Sequence, residues 1–187
     1  MSRSLRNIAV LDANVLYPAP IRDFLLHLAH LDLYKPKWTN EIQEEWIRSL
    51  LINRPDLKKE SLEKTRETMN SAFPDSNIEN YEGMINSLTL PDKKDRHILA
   101  AAITAKAEVI VTFNLKDFPY TCLKSYNIEV LHPDVFITRL MLSEKNKVLQ
   151  ALNNQIRSLK NPPKSKDEVI AALQKCGLTE SIIHLKK

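Results

Sequence analysis

Two short apolar runs far apart in the chain, Ile8–Leu11 in NIAVLDANVLYPAP and residues 109–113 in AEVIVTFNLKDFP, constrain the fold most. An uninterrupted apolar strand is buried on both faces, which a parallel sheet covered by helices provides. Amphipathic stretches separate the two runs, and strands alternating with helices predict an α/β fold with a mainly parallel central sheet. Each run is followed closely by a carboxylate: Asp12 directly after the first, Asp117 shortly after the second. The carboxyl ends of strands are where open α/β sheets bind ligands. A plain alternative for Asp12 is a turn or helix cap.

The remaining elements follow from periodicity and capping signals. Residues 19–31 carry Ile21, Phe24, Leu25, Leu28 and Leu31 at helical spacing and return the chain to the sheet. Thr39 is the expected N-cap of a second helix with Ile42, Trp46, Ile47, Leu50 and Leu51 on one face. Pro55 is expected to open a third helix, ending near Ala72 before Pro74. NIENYEGMINSLTL reads as a short helix leading into a short strand. LPDKKDRHILAAAITAKAEVIVTF reads as an Ala-rich helix, opened by Asp92 and Asp95, running into the second buried strand. IEVLHP is a further strand closed by Pro133. Beyond it the chain is expected to be helical, with a Pro- and Lys-rich linker at 159–168 followed by small helices at 169–176 and Glu180–Leu185.

Composition narrows the chemistry. With Gly83 and Gly177 as the two glycines of 187 residues, neither a Walker loop nor a GxGxxG turn can be built. Cys122 and Cys176 are far apart and lack partnered His spacing, so no disulfide framework or zinc site is indicated and a reducing cytoplasm fits. The N-terminus lacks the apolar core of a signal peptide, and the apolar stretch 98–113 is broken by Lys106 and Glu108, so no membrane span is expected. Charge is uneven: residues 139–187 hold 10 Lys and Arg against 4 Asp and Glu, while the other 138 residues hold 17 against 19. That basic tail suits a polyanion such as nucleic acid, a solvated surface being the plain alternative.

Four segments bring carboxylates that can converge: Asp12, Asp117, the pair Asp92 and Asp95, and Glu41, Glu44 and Glu45 on the second helix. Two like charges ~5 Å apart repel by about 3 kcal/mol at an effective dielectric of ~20, and a divalent cation reverses that sign. All-oxygen donors without Cys or paired His favour Mg²⁺ or Mn²⁺ over zinc. Such a centre can bind a phosphate oxygen and activate water, which implies phosphodiester hydrolysis. Each acid keeps a structural reading as well. Asp92 is foremost a helix cap, Glu41 suits the first turn of its helix, and Glu44 and Glu45 are hard to separate.

Taken together, VLDANVLYPAPIRDFLL, WTNEIQEEWIRSLL, LPDKKDRHILAAAITAKAEVIVTFNLKDFP and LKNPPKSKDEVIAALQKCGL resemble the PIN-domain family, most closely the VapC-type ribonuclease toxins of bacterial toxin-antitoxin pairs. The resemblance implies a PIN-like three-layer α/β fold with a helical C-terminal extension, divided here as a nuclease domain at 1–138 and a basic extension at 139–187. It makes Asp12, Glu45, Asp95 and Asp117 the catalytic acids, with Asp12, Asp95 and Asp117 on the metal. Glu44 is the alternative to Glu45. Asn14, Asp92, Thr112 and Asn114 become supporting residues. The family's fourth acid often stands where this chain has Asn114, so Asp117 is expected to supply the missing charge. The resemblance also implies Mg²⁺ or Mn²⁺, an RNA substrate, a cognate antitoxin, a homodimer and a cytoplasmic location. Arg96 and His97 are candidates for phosphate contact, a solvated Arg and a packed His being the alternatives. Tyr17, Trp38 and Trp46 are candidates for base stacking, with core packing the better reading for both Trp residues. The competing functions are a non-catalytic nucleic-acid or protein-binding module and an aspartyl-phosphate receiver or phosphatase. For the last of these, the acid on the first strand and Asn14 two places on fit poorly.

Overall fold

The structure is a computed structural model that describes residues 8–186. Residues 1–7 and Lys187 lie outside the described residues, and with them the expectation about a signal peptide. The chain opens with β1 (Ile8–Leu11), one turn of helix α1 (Ala13–Leu16), α2 (Ala19–His30) and β2 (Lys35–Lys37). Helices α3 (Asn40–Asn53), α4 (Lys59–Ala72) and α5 (Arg96–Thr104) lead back to β3 (Val109–Val111). The short α6 (Tyr120–Leu123) precedes β4 (Glu129–Leu131), and α7 (Pro133–Ser158), α8 (Lys166–Lys175) and α9 (Glu180–Leu185) complete the chain.

The four strands form one sheet in the order β2-β1-β3-β4, every pairing parallel. From β1 the chain steps one way to β2, then crosses back over β1 to reach β3. Right-handed crossovers therefore place α2 and α5 on opposite faces, the three-layer α/β arrangement. α5 packs on β1 and β3, while α2 packs against β2 and the long α7. The middle strands are buried throughout from Ala9 to Leu11 and from Val109 to Val111, which explains their continuous apolar sequence. Strand order reverses between β1 and β3, so a crevice opens at their carboxyl ends, where ligands bind in such sheets.

Thr39 caps α3, its hydroxyl accepting from the Ile42 backbone N–H at 3.1 Å. The third helix begins later than Pro55: residues 55–57 form a turn in which Arg54 grips the Asp56 carboxylate at 2.8 and 2.7 Å. The expected strand after NIENYEGMINS is absent among the described residues; Glu82–Ser87 is a 3-10 helix and no ladder follows it. Leu88 and Leu90 are buried while Thr89 is exposed, so the apolar alternation is real but meets no strand partner. The free side of β2 is instead met by Asn77, which bridges Trp38.

α7 is interrupted at Glu144 (φ −142°, ψ 53°), which splits it into two rods. The division expected between residues 138 and 139 falls inside its first rod. α7 packs on α2 and α9, and Asp134 in its first turn accepts five hydrogen bonds from Thr179, Glu180 and Ser181 at 2.6–3.0 Å. Ser165 and Glu168 form a reciprocal capping box on α8. No helix among the described residues is long and apolar enough to cross a membrane.

Candidate active site

Asp12 ends β1, and its backbone N–H bonds Val111 O at 3.1 Å, which ties it to the end of β3. Its side chain is 6% exposed. Oδ2 accepts from the Thr112 hydroxyl at 2.6 Å and from Asn14 Nδ2 at 2.7 Å. Asn14 Nδ2 also donates to Thr112 Oγ1 at 2.9 Å, and its Oδ1 accepts from Phe113 N at 3.1 Å. Thr112 Oγ1 further accepts from Asn114 N at 3.0 Å. The two strand ends are therefore laced together by neutral donors and acceptors around one carboxylate.

A cleft of about 440 Å³ opens above this lacing, lined by Asp12, Asn14, Tyr17, Glu45, Asp95 and Asn114, with Arg48 at its wall. α3 delivers Glu45 to the cleft, while Glu44 is exposed and outside the lining. Asp95 ends a 3-10 turn (Lys93–Asp95) and stands at the N-cap position of α5 without making a cap bond. The cap of that turn is Asp92, which accepts from Lys94 N at 2.9 Å. Asp117 ends another 3-10 turn (Leu115–Asp117) and is outside the lining, yet near enough that its charge acts on Asp95.

The electrostatics record this crowding. Burial, then the charges of Asp12, Asp117 and Asp92, push the Asp95 carboxyl up to about 6. Burial also raises Asp12, against hydrogen bonds from Thr112 and the Ala13 backbone, while Glu45 raises it further and His97 lowers it. Five acids from four segments thus share one electrostatic neighbourhood.

His97 is buried, 4% exposed, and lies between two glutamates of α3. Its Nε2 is 3.3 Å from Glu45 Oε1 and its Nδ1 is 3.5 Å from Glu41 Oε2. Burial alone would lower its pKa; the hydrogen bond and charge of Glu45, then Glu41 and Asp12, outweigh burial and raise it. Glu41, Glu45 and His97 offer three ligand atoms within 4.8 Å of one another. Sequence reasoning left Glu41 as a helix-end charge and His97 undecided. The i,i+4 spacing of Glu41 and Glu45 was the available signal for a shared helix face.

Trp38 and Trp46 are buried and donate to Asn70 Oδ1 at 2.9 Å and Gln43 Oε1 at 2.6 Å, so both pack rather than present a face to a ligand. The Arg22 guanidinium sits 4.9 Å over the Trp46 ring. Arg96 is half-buried and outside the cleft lining, whereas Tyr17 is half-buried within it.

A parallel α/β sheet with carboxylates gathered where its strand order reverses is the architecture of an α/β domain with its ligand site at the switch point. The chain belongs to the PIN-domain family: the PIN domain family model matches residues 8–116. Residues 133–187 match a second model, the VapC50 C-terminal domain. A stretch of 44 residues is 64% identical to a Mycobacterium tuberculosis (strain ATCC 25618 / H37Rv) protein named "Putative ribonuclease VapC50". That match covers 24% of this chain and 26% of the relative, so it spans about a quarter of that protein's length. No solved structure matches the chain.

Proposed function

We propose that this protein is a Mg²⁺- or Mn²⁺-dependent endoribonuclease that hydrolyses RNA phosphodiester bonds, the toxin of a type II toxin-antitoxin pair. The observation that carries the reading is the convergence of Asp12, Glu45 and Asp95 in one cleft, with Asp117 close enough to perturb Asp95. The residues fit a hard dication: the carboxylates of Asp12, Glu45 and Asp95 line the cleft, and burial, then the charges of Asp12, Asp117 and Asp92, push Asp95 up to about 6. In this reading Asp12, Asp95 and Asp117 hold the ion, and Glu45 orders its surroundings. A bound divalent ion polarises the phosphate and lowers the pKa of an attacking water.

The chain's own groups do the rest. Thr112 and Asn14 fix one rotamer of Asp12 by holding Oδ2. His97 lies 3.3 Å from Glu45 and helps to hold its carboxylate. Without a cation the Asp95 carboxyl is raised to about 6, and a cation bound there favours its carboxylate form. Asn114 offers a carbonyl oxygen without charge at the rim, and exposed Arg48 can meet a backbone phosphate. This reading gives the protein a cognate antitoxin as partner, a homodimeric state and a cytoplasmic location, as its resemblance to VapC-type toxins implies. The same reading takes 1–138 as the nuclease domain and 139–187 as its basic extension.

Asp12→Asn tests the proposal. Expected is folded protein whose RNA cleavage falls more than about 100-fold, beyond the loss typical of outer hydrogen-bonding partners, together with relief of growth arrest on induced expression. Undiminished Mg²⁺-dependent cleavage by a folded, nuclease-free preparation refutes it.

A further inference from the structure

Large apolar side chains are exposed at seven positions among the described residues, and three of them, Leu115, Tyr120 and Tyr126, fall close together between β3 and β4. Leu115 and Tyr120 line a groove of about 630 Å³ with Phe118, Leu123, Lys124 and Ile128. The groove runs along β4, the end strand of the sheet, which pairs with β3 alone among the described residues. Tyr120 stands 78% exposed, far more than a core aromatic. Such a concentration of exposed apolar surface marks an interaction site.

Position and charge indicate the occupant. Consecutive residues line the acidic cleft and the groove: Asn114 lines the cleft and Leu115 the groove. Asp117, whose charge reaches Asp95, is followed directly by groove residue Phe118. From 118 to 128 the chain holds no acid, while Lys124 lines the groove and Lys116 is exposed beside it. Glu129 at the far end is gripped by Arg139 at 2.6 and 2.7 Å, so its charge is already matched. A surface combining an exposed aromatic ring with unmatched cations suits unpaired nucleotides, whose bases stack and whose phosphates pair with lysine. A duplex keeps its base faces covered and offers only the phosphates.

We infer that this groove is a subsite for single-stranded RNA flanking the cleaved bond, with Tyr120 stacking on a base and Lys116 and Lys124 meeting phosphates. The inference rests on the nuclease reading above. The test measures binding of a short fluorescein-labelled single-stranded RNA of mixed sequence by anisotropy, in full-length Asp12→Asn protein that cannot turn over substrate. Adding Tyr120→Ala is expected to weaken binding about fivefold or more, and Tyr120→Phe to stay within about twofold. Lys124→Ala is expected to weaken binding and flatten its salt dependence by about 0.7 in the log-log slope, one phosphate's worth. Both side chains are exposed, and unchanged circular dichroism confirms that the variants fold. If Tyr120→Ala and Lys124→Ala both bind RNA as the parent does, the subsite is refuted while the nuclease reading stands. If Tyr120→Ala instead dissolves a dimer without changing RNA affinity, a second copy covers the groove and the inference is equally refuted. If the parent binds no RNA and wild type cleaves none, the nuclease reading falls and takes the subsite with it.

Discussion

Thr112→Val isolates the hydroxyl at the centre of the lacing. Thr112 is fully buried, and its Oγ1 makes three hydrogen bonds: one donated to Asp12 and two accepted, from Asn14 and from the Asn114 backbone. Valine keeps the shape and removes all three. A bond to a charged acceptor contributes about 1.5–3 kcal/mol net, and water cannot replace a donor at a fully buried position. Asn14 and Asn114 lie nearer solvent and can turn to water, so their losses are smaller. The expected destabilisation is therefore about 2–3 kcal/mol. For a chain of this size that lowers the melting temperature by about 5–10 °C. If Asp12 also binds the metal, freeing its rotamer weakens Mn²⁺ affinity by about 10–100-fold. Thr112→Ser separates the two effects: it deletes one buried methyl, worth about 1 kcal/mol, and should keep wild-type metal affinity. Thermal melts and Mn²⁺ titration by calorimetry on the three proteins give both numbers. A Thr112→Val protein that melts lower but binds Mn²⁺ within about twofold of wild type refutes the proposed link between Thr112 and the metal.

Asp95 carries a pH-dependent prediction. Its carboxyl is pushed up to about 6 in the fold from an ordinary 3.8, so the metal-free native state loses stability as pH rises through that window. The ceiling is about 3 kcal/mol, cut to about 1–2 kcal/mol by solvent screening of a partly exposed group. In EDTA, Asp95→Asn should melt higher than wild type at pH 7, with the gap closing towards pH 4. Saturating Mg²⁺ or Mn²⁺ should reverse the order at pH 7. A metal-free variant that melts lower than wild type at pH 7 contradicts the crowding of acids. Asp134 has the opposite sign: burial pushes its carboxyl up, but bonds from Ser181 and the backbone of residues 179–181 prevail and hold it below its ordinary value. Its contribution is thus present above 3.8 and lost as pH falls through the lowered value. Asp134→Ala strands the donors at the start of α9 and should lower stability at pH 7 by about 3 kcal/mol, read as a shifted urea midpoint; an unmoved midpoint refutes the clamp.

Much of this fold was legible because its signals are local. β1 and β3 announce themselves as continuous apolar runs and α3 by its Thr39 cap, whereas α8 starts at Lys166, inside the stretch expected as a linker, on a capping box of Ser165 and Glu168. β2 was harder: Lys-Pro-Lys has no strand composition, and only Pro36 is buried. It is tolerable as the terminal strand of the sheet, where a missing N–H need not break a ladder. Leu88 and Leu90 misled in the other direction, because alternation reports burial and cannot report whether a partner strand exists. The short α6 and the 3-10 turns around Asp117 carry no periodicity over so few residues. At the site, Asp12 and Asp95 could be grouped from sequence because each stands at an element end, whereas Glu45 was separated from Glu44 only by the family resemblance. The role of His97 could not be read, since a lone histidine has no spacing signal and its two partners come from another helix.

The placement of the acids makes structural sense only as a whole. The sheet reverses its strand order between β1 and β3, which leaves a crevice at their carboxyl ends. Thr112 and Asn14 lace those ends together using neutral donors, which orient Asp12 while leaving its charge unneutralised. α3 and α5 then deliver Glu45 and Asp95 to the same opening, and buried His97 faces Glu45 and Glu41. A fold selected for stability alone would pair Asp95 with a lysine or replace it by an amide, since an unpaired acid at this position is held well above its usual range. The crowding costs stability in the absence of a cation and is relieved when one binds. Hence the expectation that removing the Asp95 charge stabilises the metal-free protein and abolishes the gain from Mg²⁺ is the sharpest physical consequence of reading the cleft as a cation site.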